Sequence, residues 1–535
     1  MAPDLCSLED SHKYAKRSGR DPEAIHQRAL LLARRAEYKR SYACHQIAAQ
    51  LEPGNPRYLY HTGAAAHAIG RSGDAASYID HALRIDPHHP AALQKLGDLH
   101  FDALRFETAL QSYSRALAIA PDDRSLLLSA GRCALHDANP SSAMHHLRQR
   151  MLGTLDPLHS ELAVALALAD RGDYEEALPM LSGLVRQRPE DYPSLRLLAE
   201  MHVGLRDQTS ARLWYERAIQ GNDLDSMTGW LLYWSRLGDF ERARQIYRSS
   251  RLNPLFERVM RPANRRWEGQ DLRGKTLHLI AGDIYLGDAL QYIRVARIAK
   301  AAGARVIAEV PRRLRSLLRT IDGVDAVIMP DAPSPPADYE AHAFWLLYTL
   351  PHPVEESIHR APYLSPPSDL RSEWRERIPQ GPALNVGIAW RGSPWRIRDR
   401  YGRRSMALED LRPLASLPEI ALYSLQYGEG RAELLQANPA FPAVDLAPDL
   451  PNTCAAIERL DVIVTIDTSI AHLAGAMGKR TFLMLPYDAC FRWMLDREDT
   501  PWYPSLRLFR QTKPGFWPDV VTAVGRALQS EKIVR

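Results

Sequence analysis

The first half of the chain carries a pattern of small and large residues that recurs every 34 positions between residues 22 and 257. A small residue holds the same place in each of seven units, at Ser41, Ala75, Ala109, Ala143, Ala177, Ala211 and Ala243. Four positions later stands a larger residue, in order His45, Ile79, Tyr113, Leu147, Leu181, Tyr215 and Tyr247. Small residues let one helix approach its neighbour, and the larger ones fill the adjacent gap. The period therefore predicts an array of stacked helix pairs.

Prolines and glycines mark the borders of these predicted helices. The units start at Pro22, Pro56, Pro90, Arg124, Leu158, Tyr192 and, two residues early, Leu224. Prolines that stop the second helix fall at Pro53, Pro87, Pro121 and Pro189, and close-contact glycines recur at Gly63, Gly97 and Gly131. The pattern resembles a tetratricopeptide superhelix, and such arrays bind an extended peptide or another protein. A competing hypothesis is that the repeats only hold copies of the chain together as a homo-oligomer.

In the second half the period fails, and strand and helix patterns alternate. The apolar, largely β-branched run from Val462 to Ile466 predicts a buried strand, and the polar residues Asp467 to Ser469 predict a turn. Helical spacing then runs to Met477, Gly478 ends the helix, and another apolar strand follows. This is a βαβ unit. In such sheets ligands bind at the carboxyl ends of the strands, beside the N-terminus of a helix.

Four residues of this turn and helix are candidates for an anionic ligand. Thr468 and Ser469 stand where a diphosphate would be held, because a helix N-terminus offers N–H groups and a partial positive charge. Asp467 is placed to accept a hydrogen bond from a sugar or ribose hydroxyl. His472 lies one helical turn further on and is expected to face the same ligand.

Further α/β patterns surround this unit. Strands are predicted at the two ends of residues 276–310, in residues 383–390, and in residues 421–430, where the strand ends in a glycine-containing turn. The first two flank a glycine-containing turn and a helix, which form a second βαβ unit. Gln426 follows the last strand at the same carboxyl edge and is a candidate for contacting a nucleotide. The proline-rich segment from Asp331 to His342 predicts a loop.

Composition bounds the function classes. The 535 residues carry a net charge of +4 without a Lys/Arg tract, so no nucleic-acid partner is predicted. No apolar run reaches the length of a membrane span and the N-terminus lacks a signal peptide's apolar core, so a cytoplasmic protein is expected. The five cysteines, Cys6, Cys44, Cys133, Cys454 and Cys490, are far apart and form no CxxC pair. Buried free thiols are therefore predicted, rather than disulfides or a zinc site.

Two stretches resemble a known family. The string DTSIAHLAGA at residues 467–476 is similar to the donor-site signature of glycosyltransferase family 9, which includes the ADP-heptose lipopolysaccharide heptosyltransferases. The string LDREDTPWYPSLRLFRQ at residues 495–511 resembles the closing signature of a bacterial subgroup that joins tetratricopeptide repeats to this domain. The resemblance implies a fold class of α plus α/β, with an all-α superhelix followed by a GT-B transferase of two Rossmann-like lobes. It also implies that the last helix, Pro518 to Leu528, returns to the first of these lobes. It implies an ADP-heptose-like nucleotide-sugar donor, inversion at the sugar, no metal and no further cofactor.

The resemblance also implies roles for individual residues. Asp288 matches the aspartate proposed as general base in heptosyltransferases, with Asp283 in reserve and a helix N-cap as the alternative. Arg391, Ser393 and Arg396 match a loop that contacts the donor phosphates. The subgroup commonly has a histidine near the place of Arg396, and a guanidinium there preserves phosphate binding better than acid or base chemistry.

Together these patterns predict five segments and one function. The segments are an N-terminal lead 1–21, a repeat array 22–258, a linker 259–274, an acceptor lobe 275–372 and a donor lobe 373–535. The predicted function is an inverting glycosyltransferase that moves a sugar from a nucleotide-sugar to a protein or glycan acceptor bound by the repeats. Two alternatives stay open. One is an enzyme like the O-linked N-acetylglucosamine transferases, and the other is a non-catalytic scaffold with a degenerate transferase domain.

Overall fold

The computed structural model describes residues 21–34, 38–136, 140–150, 157–249, 265–281, 285–318, 321–329, 335–349, 361–392, 403–437, 441–446 and 449–534. The chain divides into two compact units, Met1–Trp214 and Tyr215–Arg535. In the described part of the first unit, the secondary structure is helical throughout. The second contains the last helix pair of the repeat pattern and two α/β lobes.

Helices occupy the described part of residues 22–249 and follow one another in seven pairs. They are α1 (Pro22–Arg34), α2 (Tyr38–Leu51), α3 (Pro56–Ala68), α4 (Ser72–Ile85), α5 (Pro90–Asp102), α6 (Phe106–Leu117), α7 (Arg124–Ala134), α8 (Pro140–Arg150), α9 (Pro157–Arg171), α10 (Tyr174–Gln187), α11 (Tyr192–Gly204), α12 (Gln208–Ala218), α13 (Leu224–Arg236) and α14 (Phe240–Ser249). Each odd-numbered helix begins where a unit of the repeat was predicted, except that α9 begins one residue early, at Pro157.

The repeat residues pack as the period predicts. All seven small residues, from Ser41 to Ala243, are 0% exposed, and the seven larger residues are buried beside them. The glycines stand where helices approach closely: a Cβ on Gly97 would lie 2.4 Å from the ring of Tyr113. A Cβ on Gly131 would lie 2.0 Å from the carbonyl oxygen of Ala163. These contacts confirm the predicted stacking of helix pairs.

The first lobe is a four-stranded parallel sheet in the order β3-β2-β1-β4. Its elements are β1 (Thr276–Ile280), α15 (Leu286–Tyr292), α16 (Ala296–Ala301), β2 (Arg305–Glu309), α17 (Arg315–Leu318), β3 (Ala326–Ile328), β4 (Tyr339–His342) and α18 (Leu346–Thr349). Strand β4 lies inside the segment predicted as a loop, so that prediction was wrong at its C-terminal end. Four residues are too few to show a strand period, and β4 is defined by its pairing with β1.

The second lobe is a six-stranded parallel sheet in the order β10-β9-β8-β5-β6-β7. Its elements are α19 (Arg371–Arg377), β5 (Leu384–Ala389), α20 (Arg412–Ala415), β6 (Ile420–Ser424), α21 (Glu429–Ala437), β7 (Ala443–Asp445), α22 (Leu450–Arg459), β8 (Val462–Ile466), α23 (Ser469–Ala476), β9 (Thr481–Leu485), β10 (Leu506–Arg510) and α24 (Pro518–Val534). Both lobes are Rossmann-like, which confirms the predicted fold class. Helix α24 packs in the core of the second lobe through Val520, Val524 and Leu528, so the expected return to the first lobe was wrong.

The last helix pair, α13 and α14, contacts both lobes. On the side of the first lobe, the Ser235 hydroxyl lies 3.1 Å from that of Tyr348, and the ring of Tyr247 stacks on that of Trp345. On the side of the second lobe, an Arg236 Nη1 to Asp488 Oδ1 ion pair measures 3.0 Å. The second compact unit therefore starts at Tyr215, upstream of the predicted linker at residues 259–274. The predicted boundaries of the five segments stay a prediction.

The cysteines and the apolar helices bear on two expectations from composition. The four described cysteines are free thiols, with Cys44, Cys133 and Cys454 buried and Cys490 half-buried. Burial raises the pKa of the Cys133 thiol to about 12. Among the helices of the described ranges, none is long and apolar enough to cross a membrane.

Candidate functional site

The turn after β8 lies at the carboxyl edge of the second sheet, where the sequence predicted a ligand. Asp467 directly follows the fully buried strand and is 8% exposed. Thr468 caps α23, because its hydroxyl oxygen accepts a hydrogen bond from the Ile470 N–H at 3.3 Å. Ser469 is the first residue of the helix. The three residues thus stand at a helix N-terminus that follows a parallel strand, the arrangement that favours anions.

His472 faces the first lobe from the same helix. Its Nδ1 lies 3.0 Å from the Tyr503 hydroxyl oxygen, and its ring stacks on Trp493. Its Nε2 lies 3.9 Å from Asp467 Oδ1. A Cβ on Gly287 of α15 would lie 2.7 Å from His472 Cδ2, so glycine is required where the two lobes meet. His472 and Asp467 therefore lie near each other, and their contact with one shared ligand stays a prediction.

Asp288 joins this group from the first lobe. It lies in α15, is 6% exposed, and its carboxylate accepts a hydrogen bond from Arg492 Nη2 in a short ion pair. Arg492 follows β9, and its Nη1 donates to Cys490 Sγ at 2.7 Å. Burial lowers the pKa of Arg492, but attraction to Cys490, Asp288, Tyr292 and Asp467 outweighs it and leaves that pKa well above its usual value. The guanidinium thus pairs with the Asp288 carboxylate of the first lobe and also interacts electrostatically with Asp467 of the second lobe.

Gln426 is buried and bonds to the backbone. Its Oε1 accepts from the N–H groups of Trp390 and Arg391 at 2.9 and 3.0 Å, and its Nε2 donates to the carbonyls of Arg391 and Tyr427. These four hydrogen bonds use the capacity of the amide to hold the turns after β5 and β6 together. Gln426 therefore shapes the site, and its predicted contact with a nucleotide stays a prediction.

The loop after β5 supplies cations at the same edge. The Arg391 side chain is partly exposed, with its Nε 3.7 Å from Glu433 Oε2. Ser393 and Arg396 lie outside the described residues. Arg404 was not predicted as a site residue, yet its Nη1 donates to the backbone carbonyl of Asp467 at 3.1 Å.

Sequence reasoning also missed Arg492. A signal was present, because Arg492 shortly follows an apolar strand and so lies at the carboxyl edge predicted for ligands. Among the described residues, His, Cys, Asp and Glu side chains form no group of three suited to a metal ion.

Comparison with known proteins identifies the repeats of the first half. The sequence model of the tetratricopeptide repeat matches residues 95–149 and 162–226. Protein FlbA of Caulobacter vibrioides is 25% identical over 509 residues, which cover 82% of this chain and 83% of FlbA.

Two solved structures overlap with about half of the chain. The glycosyl transferase family 9 protein from Veillonella parvula covers 50% of this chain and 100% of its own, at 10% identity and a TM-score of 0.38. The ADP-heptose lps heptosyltransferase II of E. coli covers 48% of this chain and 99% of its own, at 14% identity and a TM-score of 0.34. The chain thus carries tetratricopeptide repeats, followed by two Rossmann-like α/β lobes.

Proposed function

We propose that the second unit is an inverting glycosyltransferase whose donor binds at the turn after β8. One observation carries the proposal: Asp288 of the first lobe and the group of Asp467, His472 and Arg492 of the second meet at the carboxyl edge of the second sheet. A two-substrate transfer needs a base on one side and a site for an anionic leaving group on the other. The resemblance of residues 467–476 to a nucleotide-sugar signature supports the assignment of the donor.

The donor side has the groups that a diphosphate requires. The N-terminus of α23, at Thr468 and Ser469, offers backbone N–H groups and the positive end of the helix dipole. Arg391 and Arg404 stand at the neighbouring strand end. The Asp467 carboxylate accepts a hydrogen bond from a hydroxyl of the sugar or of the ribose. We further propose, from the resemblance, an ADP-linked heptose-like sugar and a reaction without a metal ion.

The proposed transfer balances without another reactant. Asp288 takes the proton of the acceptor hydroxyl while that oxygen bonds to the anomeric carbon. The bond from the anomeric carbon to the diphosphate oxygen breaks on the opposite face, and its electron pair leaves with the nucleoside diphosphate. The helix N-terminus and the arginines stabilise that developing charge, and the sugar configuration inverts. We propose that the acceptor is a protein or peptide bound by the tetratricopeptide repeats.

A thermal-shift screen of the full chain against ADP-, UDP-, GDP- and CMP-sugars tests the proposal. A donor near 100 times its Kd raises the melting temperature by roughly 3–6 °C by mass action. Asp467→Ala, which removes the acceptor oxygens, removes this shift. Asp445→Ala, a control at the end of β7 in the same sheet, keeps it.

Two results would contradict the proposal. If no nucleotide-sugar stabilises the wild type, the second unit has no donor site and the scaffold hypothesis replaces it. If Asp467→Ala responds like the wild type, the donor binds elsewhere. The nucleotide that gives the shift separates a heptosyl-like donor from an N-acetylglucosamine-like one.

A further inference from the structure

Arg492 uses only part of its hydrogen-bonding capacity. Its side chain is 11% exposed, Nη2 bonds to Asp288 and Nη1 bonds to Cys490. Its Nε is buried and has no hydrogen-bond partner among the described residues. An unpaired buried donor is costly and calls for an explanation, such as an absent ligand.

The unpaired Nε lies on one particular edge of the guanidinium. Nε and Nη2 form the side-on edge of a guanidinium, the edge that binds two oxygens of one carboxylate or phosphate. Asp288 occupies only the Nη2 half of that edge. Nε is therefore unused while Nη2 is engaged, and a phosphate group that binds both nitrogens would compete with the Asp288 carboxylate for Nη2.

Arg492 also lies on the donor side. It follows β9, which pairs with β8, the strand that ends at Asp467. The charges of Asp467 and Asp288 both act on its guanidinium. An anionic diphosphate at the N-terminus of α23 would thus arrive beside a cation that is already bound to the proposed base.

We propose that the Arg492 guanidinium holds Asp288 in an ion pair until the diphosphate of the donor takes over its Nε–Nη2 edge and frees the carboxylate. The inference rests on the proposed function. Arg492 is a positioning residue for Asp288 and a phosphate ligand for the donor. Base and donor then act in a fixed order, because the carboxylate is free to accept a proton only after the diphosphate is bound.

Competition for one guanidinium has an unusual consequence. Asp288→Asn removes the competing carboxylate, so nucleoside diphosphates bind about three- to tenfold more tightly, roughly the net effect of one ordinary hydrogen bond. Arg492→Gln weakens binding by about tenfold or more, and Arg492→Lys recovers part of the loss because it keeps the charge without the fork. Asp288→Asn has no effect in the Arg492→Gln background.

Isothermal titration of the full chain with ADP, UDP, GDP and CDP measures these affinities. The matched control is Asp322→Asn, which removes an aspartate paired with Arg297 elsewhere in the first lobe and leaves binding unchanged. With donor and acceptor present, Asp288→Asn also lowers kcat while the affinity for the diphosphate rises. If the ion pair of Arg492 and Asp288 were merely structural, Asp288→Asn and Arg492→Gln would both bind the nucleoside diphosphate more weakly.

The possible results distinguish a failure of this inference from a failure of the proposed function. Unchanged or weaker binding by Asp288→Asn, or tighter binding that persists in the Arg492→Gln background, overturns the inference and leaves the donor site standing. If no diphosphate binds any variant, the proposed function and the inference fail together. If Asp288→Asn does not fold, a crystal structure of the wild type with the tightest diphosphate decides: an open pair supports the inference, and an intact pair refutes it.

Discussion

At the scale of single residues, His26, His45 and His61 form a cluster in the first three helices. His26 and His45 approach through their Nδ1 atoms at 3.3 Å, and the His61 ring stacks on the His45 ring. Arg57 Nε donates to His26 Nε2 at 3.2 Å. Because arginine only donates, His26 Nε2 accepts, so its Nδ1 carries the proton and donates to His45. The contacts require His26 and His45 to be uncharged.

This cluster makes the first helices sensitive to acid. Burial, followed by the neighbouring histidines, lowers the pKa of His45 to about 2 and that of His61 to about 4. Burial also lowers the pKa of His26; Arg57 adds to that effect and Glu23 opposes it. In the unfolded chain these histidines have pKa values of about 6.5, so their contribution to the free energy of unfolding is fully present above that pH. It is lost as the pH falls toward the folded values, by about 1.4 kcal/mol per pH unit for each histidine.

Hydrogen exchange of α2 at pH 7, 6 and 5, corrected for intrinsic rates, measures this loss. We expect protection to fall with pH in the wild type and to fall less in His45→Gln. The control His146→Gln changes an exposed histidine paired with Glu107 and keeps the wild-type slope. Equal slopes in all three proteins would show that the cluster does not govern the stability of these helices.

Contacts between residues that are far apart in the chain could not be predicted from the sequence. The repeat period placed His45 correctly among the packing residues, because that position is set by local spacing. It gave no sign that His26 and His61 meet it, since their contact depends on how three helices stack. Arg492 and Asp288 lie 204 positions apart, and no local pattern joins them. Site residues that act through distant partners are therefore the ones that sequence reasoning missed.

At the scale of elements, two helix-interior glycines allow a matched test of the stacking. A Cβ on Gly131 in α7 would lie within 2.6 Å of backbone atoms of Ala163, whereas a Cβ on Gly183 in α10 would meet only an Arg186 side-chain nitrogen at 3.9 Å. We expect Gly131→Ala to destabilise the array by about 3 kcal/mol or more, because helices must move apart. Gly183→Ala is expected to stabilise it by about 0.5–1 kcal/mol through helix propensity.

Chemical denaturation followed by helix signal compares the two variants with the wild type. Gly63, Gly97 and Gly131 recur as the repeat predicts, so the test bears on the stacking of the array and not on one site alone. A neutral Gly131→Ala would mean that α7 and α9 do not pack as closely as described.

Elements with complete local signals were predicted almost residue by residue. Strand β8, the Thr468 cap and helix α23 have an apolar run, a polar turn and a closing Gly478 within one stretch, and Gly478 adopts φ +68° as such an ending requires. Strand β4 lacked these signals. Its place depends on β1, more than 50 residues upstream, so its pairing could be recognised only in the folded lobe.

At the scale of the whole molecule, the contacts of α13 and α14 determine which fragments fold. Besides the contacts to Tyr348, Trp345 and Asp488, the ring of Phe240 packs edge-on against Trp502. A fragment of residues 259–535 begins at the predicted linker and loses these partners. Each exposed aromatic or apolar side chain costs about 1.5–3 kcal/mol, so this fragment is expected to melt lower and to aggregate.

A fragment of residues 215–535 keeps the pair and is expected to be monodisperse. Size-exclusion chromatography and thermal melting of the two fragments, expressed side by side, measure the difference. Equal behaviour would mean that α13 and α14 contribute nothing to the stability of the lobes.

Because α13 and α14 contact both lobes, they restrict where the number of repeats can change. We expect repeats to be added or removed with least loss of stability where the junction falls upstream of Leu224, because the pair downstream contacts Tyr348 and Asp488. The left-handed turn at Asn222, with φ +53°, marks that junction. A chimera that takes its repeats from one protein and its lobes from another should be joined there, so that the final pair is inherited with the lobes it touches.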